Sequence, residues 1–309
     1  MNNLAIKRSL RLFFPVLAVI TVPLASEVSV FADSVVAITE PGDKKPLPTY
    51  TPNLNIMKVA HRGVKVRAPE NTLPAIQKAI DMGYDYVEVD LRYSRDGAPV
   101  LFHDLRLSPK TNGFGFVAWR KFTALKKLDA GSWFSDEFKG TRIPTFEECL
   151  KSMQGRINLY LDQKESPKPE LFQLLNKYGF SRDKLVVVGF LKRYQRKFAK
   201  HYPNAPVMPW LSNAAEVEKV LEKFPTARAF NTSCKSLTRD MVIEAHRHGV
   251  MIFTNVLRVK RSKERDCMRR TIELGADAVQ FDHPDVLFPL LEEMRRKNAT
   301  PLSSEEYPL

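Results

Sequence analysis

From Ile56 onward the chain alternates short apolar runs with longer stretches whose apolar residues recur at helical spacing. The runs predict strands at 57–60, 84–91, 157–161, 185–188, 206–210, 227–230, 250–256 and 276–281. The stretches between them predict helices that include 73–82, 168–178, 193–202, 214–224, 238–248 and 265–274. Many of these are closed by a glycine, which takes the left-handed backbone beyond a helix end at least cost. Strands alternating with helices imply a parallel sheet with helices packed on it. Eight strands is the number that a (β/α)8 barrel needs, although periodicity alone does not separate a closed barrel from an open doubly wound sheet.

The alternation breaks between Asp90 and the strand at 157. That interval holds a turn at 94–97, the His103 segment, and a stretch rich in glycine and aromatic residues from Thr111 to Phe138. Connections this long without regular structure are usually functional. The pattern is also absent before residue 56. Lys7, Arg8 and Arg11 lead into an apolar run over 12–25, and Val30-Phe31-Ala32 ahead of Asp33 has the small-residue spacing of a signal-peptidase site. We read 1–32 as a signal peptide cleaved near Ala32, with the mature chain exported to the periplasm or beyond. An uncleaved anchor fits less well, because the run is short of the roughly 20 residues of a membrane span, holds Pro15 and Pro23, and is followed by Glu27. Residues 33–55, rich in Pro, Asp, Lys and Thr, read as an extended lead-in. The barrel domain is expected over 56–296 and a C-terminal tail over 297–309.

With 309 residues the chain suits one large domain, and no internal repeat is evident. Three cysteines, Cys149, Cys234 and Cys267, are too few for a disulfide framework. A Cys234–Cys267 bridge stays open, and buried thiols are the expectation. The net charge is +13, or +11 once Lys7, Arg8, Arg11 and Glu27 leave with the first 32 residues. Its densest parts are Lys192, Arg193, Arg196, Lys197 and Lys200, and then Arg258, Lys260, Arg261, Lys263 and Arg265. Each cluster taken singly reads as a solvated face. Together they suit anionic substrates or an anionic envelope surface. Nucleic acid is a poor third, because no aromatic-interleaved basic stretch or recognition module accompanies the charge.

The chemistry concentrates near the start of the domain, in His61-Arg62-Gly63, Pro69-Glu70-Asn71-Thr72, Glu88-Val89-Asp90 and His103-Asp104. Glu88 and Asp90 are two residues apart on a strand and so point to one side. Like charges that close repel unless a cation or a shared proton lies between them, and a hard divalent ion with oxygen ligands is the economical reading. A surface pair on an outer strand is disfavoured by the apolar Val87, Val89 and Leu91 around it. A metal site beside two histidines is what phosphodiester hydrolysis needs.

The ordered series of these segments, with the Ser-Arg-Asp-Gly turn from Ser94 to Gly97, Pro99 to Asp104, Ile143 to Glu148 and Phe281-Asp282-His283-Pro284, closely resembles the glycerophosphodiester phosphodiesterases from about residue 56 to about residue 292. The resemblance implies a TIM-like (β/α)8 barrel with a small insertion after the second strand, about 105–140, lying over the active-site face. It implies His61 and His103 as the catalytic acid and base, and a metal held by Glu88, Asp90 and a third carboxylate from an acid-x-Lys pattern. Here that pattern is Asp162-Gln163-Lys164, with Asp162 in place of the commoner Glu. The ion is Ca or Mg, between which the sequence does not choose; export tilts the balance towards calcium. Arg62 and Lys164 are expected on the substrate phosphate, and Glu70 and Asn71 as supporting residues, with a helix start at Asn71 or Thr72 as the plainer alternative. Departures fall at Pro109-Lys110-Thr111, Gly189-Phe190 and Phe253-Thr254, which tend to line the alcohol side of the family's pocket.

The expected function is therefore hydrolysis of a glycerophosphodiester to glycerol 3-phosphate and an alcohol. One rival is a phospholipase D-like enzyme acting on lysophospholipid or sphingolipid head groups, suggested by Asp162 and the basic, apolar insertion. The other is a non-catalytic barrel that binds the envelope.

Overall fold

The computed structural model describes residues 52–202 and 205–299. The expected signal peptide with its cleavage site, most of the lead-in, and residues 300–309 of the tail lie outside the described residues.

The barrel wall is made of parallel strands β1 (Met57–Ala60), β2 (Tyr86–Tyr93), β4 (Asn158–Gln163), β5 (Leu185–Gly189), β6 (Ala229–Ser233), β7 (Met251–Asn255) and β8 (Ala278–Phe281). They are hydrogen-bonded in the order β5-β4-β2-β1-β8-β7-β6, and the short β3 (Pro99–Leu101) folds back antiparallel on β2. The predicted strand at 206–210 forms no regular ladder. Pro206 and Pro209 have no N–H to give, so this segment joins β5 and β6 by isolated bridges, Val187 to Val207 and Trp210 to Asn231. Its remaining groups still pair on both sides. Val187 N donates to Pro206 O at 3.0 Å and Met208 N to Val187 O at 2.8 Å, while Asn231 N donates to Pro209 O at 2.9 Å. The sheet thus comes round as a TIM-like barrel with 206–210 as its eighth stave.

Each stave sends one side chain into an apolar floor: Val59, Tyr86, Tyr160, Val186, Met208, Ala229, Phe253 and Ala278. The opposite face of the wall packs under helices α1 (Leu73–Asp81), α3 (Phe146–Met153), α4 (Pro169–Lys177), α5 (Lys192–His201), α6 (Val217–Lys223), α7 (Arg239–Arg247), α8 (Arg261–Glu273) and α9 (Pro284–Ala299), with the four-residue α2 (Phe122–Leu125) in the insertion. Thr72 starts α1 by accepting from Ala75 N, and Thr145 and Glu148 form a reciprocal capping box on α3. Helix α8 begins four residues before the predicted 265, since its first turn is charged and leaves no apolar signal. Helix α9 continues through 297–299, which the sequence reading placed in the tail. None of the described helices is long and apolar enough to cross a membrane.

The expectation of buried thiols holds only for Cys149. Cys234 and Cys267 are disulfide-bonded with Cα atoms 5.7 Å apart. Their separation of 33 residues carries no hint of this, because the pair meets only when the turn after β6 packs on α8. The insertion builds a small core of its own from Val100, Phe102, Leu107, Val117, Leu125, Ala130 and Ile143, which seats it against β3.

Candidate active site

Above the apolar floor the inward-facing layer turns polar, through the same period of two. His61, Glu88, Asp162, Asn231, Asn255 and Gln280 each stand two residues beyond a floor residue, one layer nearer the end of the barrel towards which the parallel strands run. Two residues further come Asp90, Lys164 and Asp282. Barrel enzymes carry their chemistry at this end.

One carboxylate oxygen from each of Glu88, Asp90 and Asp162 lies within 4.8 Å of the others. Asp90 and Asp162 are direct neighbours in the β2–β4 register. Glu88 Oε2 accepts from the backbone N of Arg62 at 2.8 Å. Asn71 clamps Asp90 twice, donating from Nδ2 to Oδ2 at 2.7 Å and accepting from the Asp90 backbone N at 3.0 Å. Lys164 Nζ sits between Asp90 at 2.8 Å and Asp162 at 2.5 Å. Arg62 reaches Glu70 at 2.9 Å and Asp90 at 3.3 Å.

Burial, and after it Asp90 and Asp162, pushes the Glu88 carboxyl well above the usual range. Burial also raises Asp162 against the pull of Lys164. At Asp90 burial works in the same direction, but Lys164 and Arg62 outweigh it and bring the carboxyl down to about 2. The Lys164 ammonium, which burial alone would lower, is raised by Asp90 and Asp162. Asp162 Oδ1 is buried with no protein partner. Clustered oxygens, one of them without a partner and one carboxyl resisting ionisation, form a donor set that fits a hard divalent cation.

The loop after β1 is shaped for this. Arg62 and Asn71 have φ of 58° and 56°, a left-handed backbone that costs a non-glycine residue about 1–3 kcal/mol. Gly63, with φ of 76°, lies so close to α1 that a Cβ would come within 2.6 Å of Ala75. These constraints turn the Arg62 N–H towards Glu88 and the Asn71 amide towards Asp90. Thr72, not Asn71, is the N-cap of α1.

His61 is buried, and its Nδ1 pairs with Asp282 Oδ1 at 2.7 Å. Asp282 is held in turn by Lys65 at 3.0 Å. Burial lowers the His61 pKa against the pull of Asp282. His103 is more open and pairs through Nδ1 with Asp104 at 2.7 Å. It is brought to the site by the segment directly after β3, because Phe102 N bonds Asp90 O at 3.0 Å, and because Arg92 donates twice to the His103 carbonyl, at 2.9 and 2.7 Å.

All nine sequence-predicted site residues are thus gathered at one end of the barrel. Arg62 and Lys164, expected on phosphate, here pair with carboxylates. Glu165, the acid next to Lys164, stands apart from the cluster and pairs with Arg92 at 3.3 Å. Sequence reasoning assigned no part to Asp282, Asp104, Lys65 or Arg92. The first two stand in the quoted Phe-Asp-His-Pro and His-Asp strings, which was the available signal.

Residues 61–286 match the Glycerophosphoryl diester phosphodiesterase family. A glycerophosphodiester phosphodiesterase of Bacillus subtilis is 29% identical over 255 residues, covering 75% of this chain and 85% of its own. The crystal structure of a glycerophosphodiester phosphodiesterase from Agrobacterium tumefaciens superposes with a TM-score of 0.68 at 28% identity, over 75% of this chain and 98% of that one. A phosphodiesterase from Oleispira antarctica, solved with the product sn-glycerol-3-phosphate, gives 0.65 at 25% identity, over 76% and 96%.

Proposed function

The chain belongs to the glycerophosphoryl diester phosphodiesterase family, and from that premise we propose that it hydrolyses glycerophosphodiesters to glycerol 3-phosphate and a free alcohol, with His61 as base and His103 as acid. The observation that carries the reading is the buried Glu88–Asp90–Asp162 cluster flanked by two histidines, each fixed through Nδ1 by its own carboxylate.

A divalent ion, Ca or Mg, held by Glu88, Asp90 and Asp162 would supply positive charge against the phosphoryl oxygens. Arg62 and Lys164 stand beside the same carboxylates, and add fixed charge to the bound phosphate. His61, with Nδ1–H committed to Asp282 and its pKa lowered by burial, presents a neutral Nε2. That nitrogen takes the proton of the attacking water, or of a neighbouring substrate hydroxyl when a cyclic phosphate forms first. As the phosphorus–oxygen bond to the alcohol breaks, His103 gives its proton to the leaving oxygen, and Asp104 steadies the ring. Arg92 keeps His103 in place through its carbonyl.

A panel of glycerophosphodiesters assayed with added Ca or Mg and with EDTA tests this. Activity is expected with metal, lost in chelator, and lowered roughly 10²-fold or more in His61→Ala and His103→Ala. Full activity in EDTA would sink the metal assignment. Preferential release of choline from lysophosphatidylcholine would favour the phospholipase D-like reading instead.

Export belongs to the same proposal. The signal-like first 32 residues suggest it, and the Cys234–Cys267 bridge supports it, since such bonds persist in oxidising compartments. N-terminal sequencing of the exported protein should begin at Asp33.

A further inference from the structure

We propose that Lys110 selects the alcohol half of the substrate: it fills an ammonium-binding site with the chain's own cation and turns away choline- and ethanolamine-type diesters in favour of neutral or anionic alcohols. This rests on the phosphodiesterase reading above.

A cleft opens beside His103, lined by Glu70, Phe102, Asp104, Lys110 and Trp133 among others. His103 hands its proton to the leaving oxygen, so the group carried by that oxygen lies on this side. An indole face next to carboxylates is the chemistry that captures an organic ammonium. Both parts are present and both are held still. Trp133 Nε1 donates to Ala130 O at 2.8 Å, and Glu70 is anchored by Arg62 at 2.9 Å.

The position over the ring is already taken. Lys110 Nζ lies 3.7 Å from the Trp133 centroid and 3.4 Å from Glu70 Oε2. A substrate ammonium would have to displace the lysine from both partners or sit beside a like charge. A hydroxyl or carboxylate meets the opposite situation, because the lysine ammonium is a three-fold donor with hydrogen-bonding capacity to spare.

The experiment compares kcat/KM for sn-glycero-3-phosphocholine and glycerophosphoglycerol, using the full chain with divalent metal, in the wild type, Lys110→Met and Lys110→Arg. Methionine keeps a flexible chain on the indole without the charge, and arginine keeps the charge. The wild type should favour the glycerol diester about tenfold or more. Lys110→Met should raise the choline-to-glycerol ratio by about tenfold, mainly through KM, and Lys110→Arg should keep the wild-type ratio. A wild type that prefers the choline diester overturns the proposal whether or not the variants fold, and so does an unchanged ratio in Lys110→Met. Those results leave the phosphodiesterase reading intact. No hydrolysis of either diester overturns that reading and the lysine's role with it.

Discussion

Glu88 serves two ends that conflict. Its burial between Asp90 and Asp162 suits a cation and penalises the bare carboxylate, so its folded-state pKa lies well above its ordinary 4.5. A raised acid binds its proton more tightly in the folded chain. Its contribution to stability is then full below about 4.5 and is lost as pH climbs through the folded value. Glu88→Gln removes that penalty while its amide oxygen can still accept from Arg62 N. In EDTA at neutral pH the variant should therefore melt higher than the wild type, by about 1–2 kcal/mol, with the gap closing as pH falls towards 4.5. It should also lose its activity and the stabilisation given by Ca or Mg. Coincident melting curves in EDTA at neutral pH would show that Glu88 bears no such strain. At this scale much was legible: two carboxylates two apart on an apolar strand can only share a face. The partner of His61 was not, because Asp282 lies 221 residues away and only the closed barrel brings it near. Nor was the pairing of Arg62 and Lys164 with carboxylates, which depends on which way long side chains turn.

Elements with a strong apolar period were readable from the chain, and those set by backbone chemistry or charge were not. Helix α1 shows its stripe in Ala75, Ile76 and Ala79, its cap in Thr72 and its exit in Gly83. The segment at 206–210 has a strand's composition, yet its prolines leave it half-bonded. Helix α8 hides its start because Arg261 and Glu264 pair with each other, an arrangement that looks like loop in an apolar pattern. The insertion was visible as an interruption, but nothing in its spacing showed that Phe102 and Val117 would share a core with Ile143. That core holds Lys110 and Trp133 near His103, so the least regular element bears on the choice of substrate.

At the scale of the whole molecule, the count of staves was readable and their closure was not, since closure depends on a shear that no local pattern encodes. The ring is also uneven. Strands β2 and β4 share a register of six consecutive residue pairs, whereas 206–210 meets β5 and β6 at one bridge each. Hydrogen exchange should reveal the difference: the amides of Val187, Met208 and Asn231, which bond across this stave, should lose protection at lower opening free energy than those of Val87 or Leu161. Equal protection all round would mean that the prolines cost the wall nothing. A barrel escapes self-association because it presents no free strand margins, and that immunity is only as good as its weakest join. If 206–210 lifts away, β5 and β6 are bared together as two sticky borders on one molecule. The Cys234–Cys267 bond, planted just after β6, then acts as a tether that keeps one of those borders from peeling further and finding another chain.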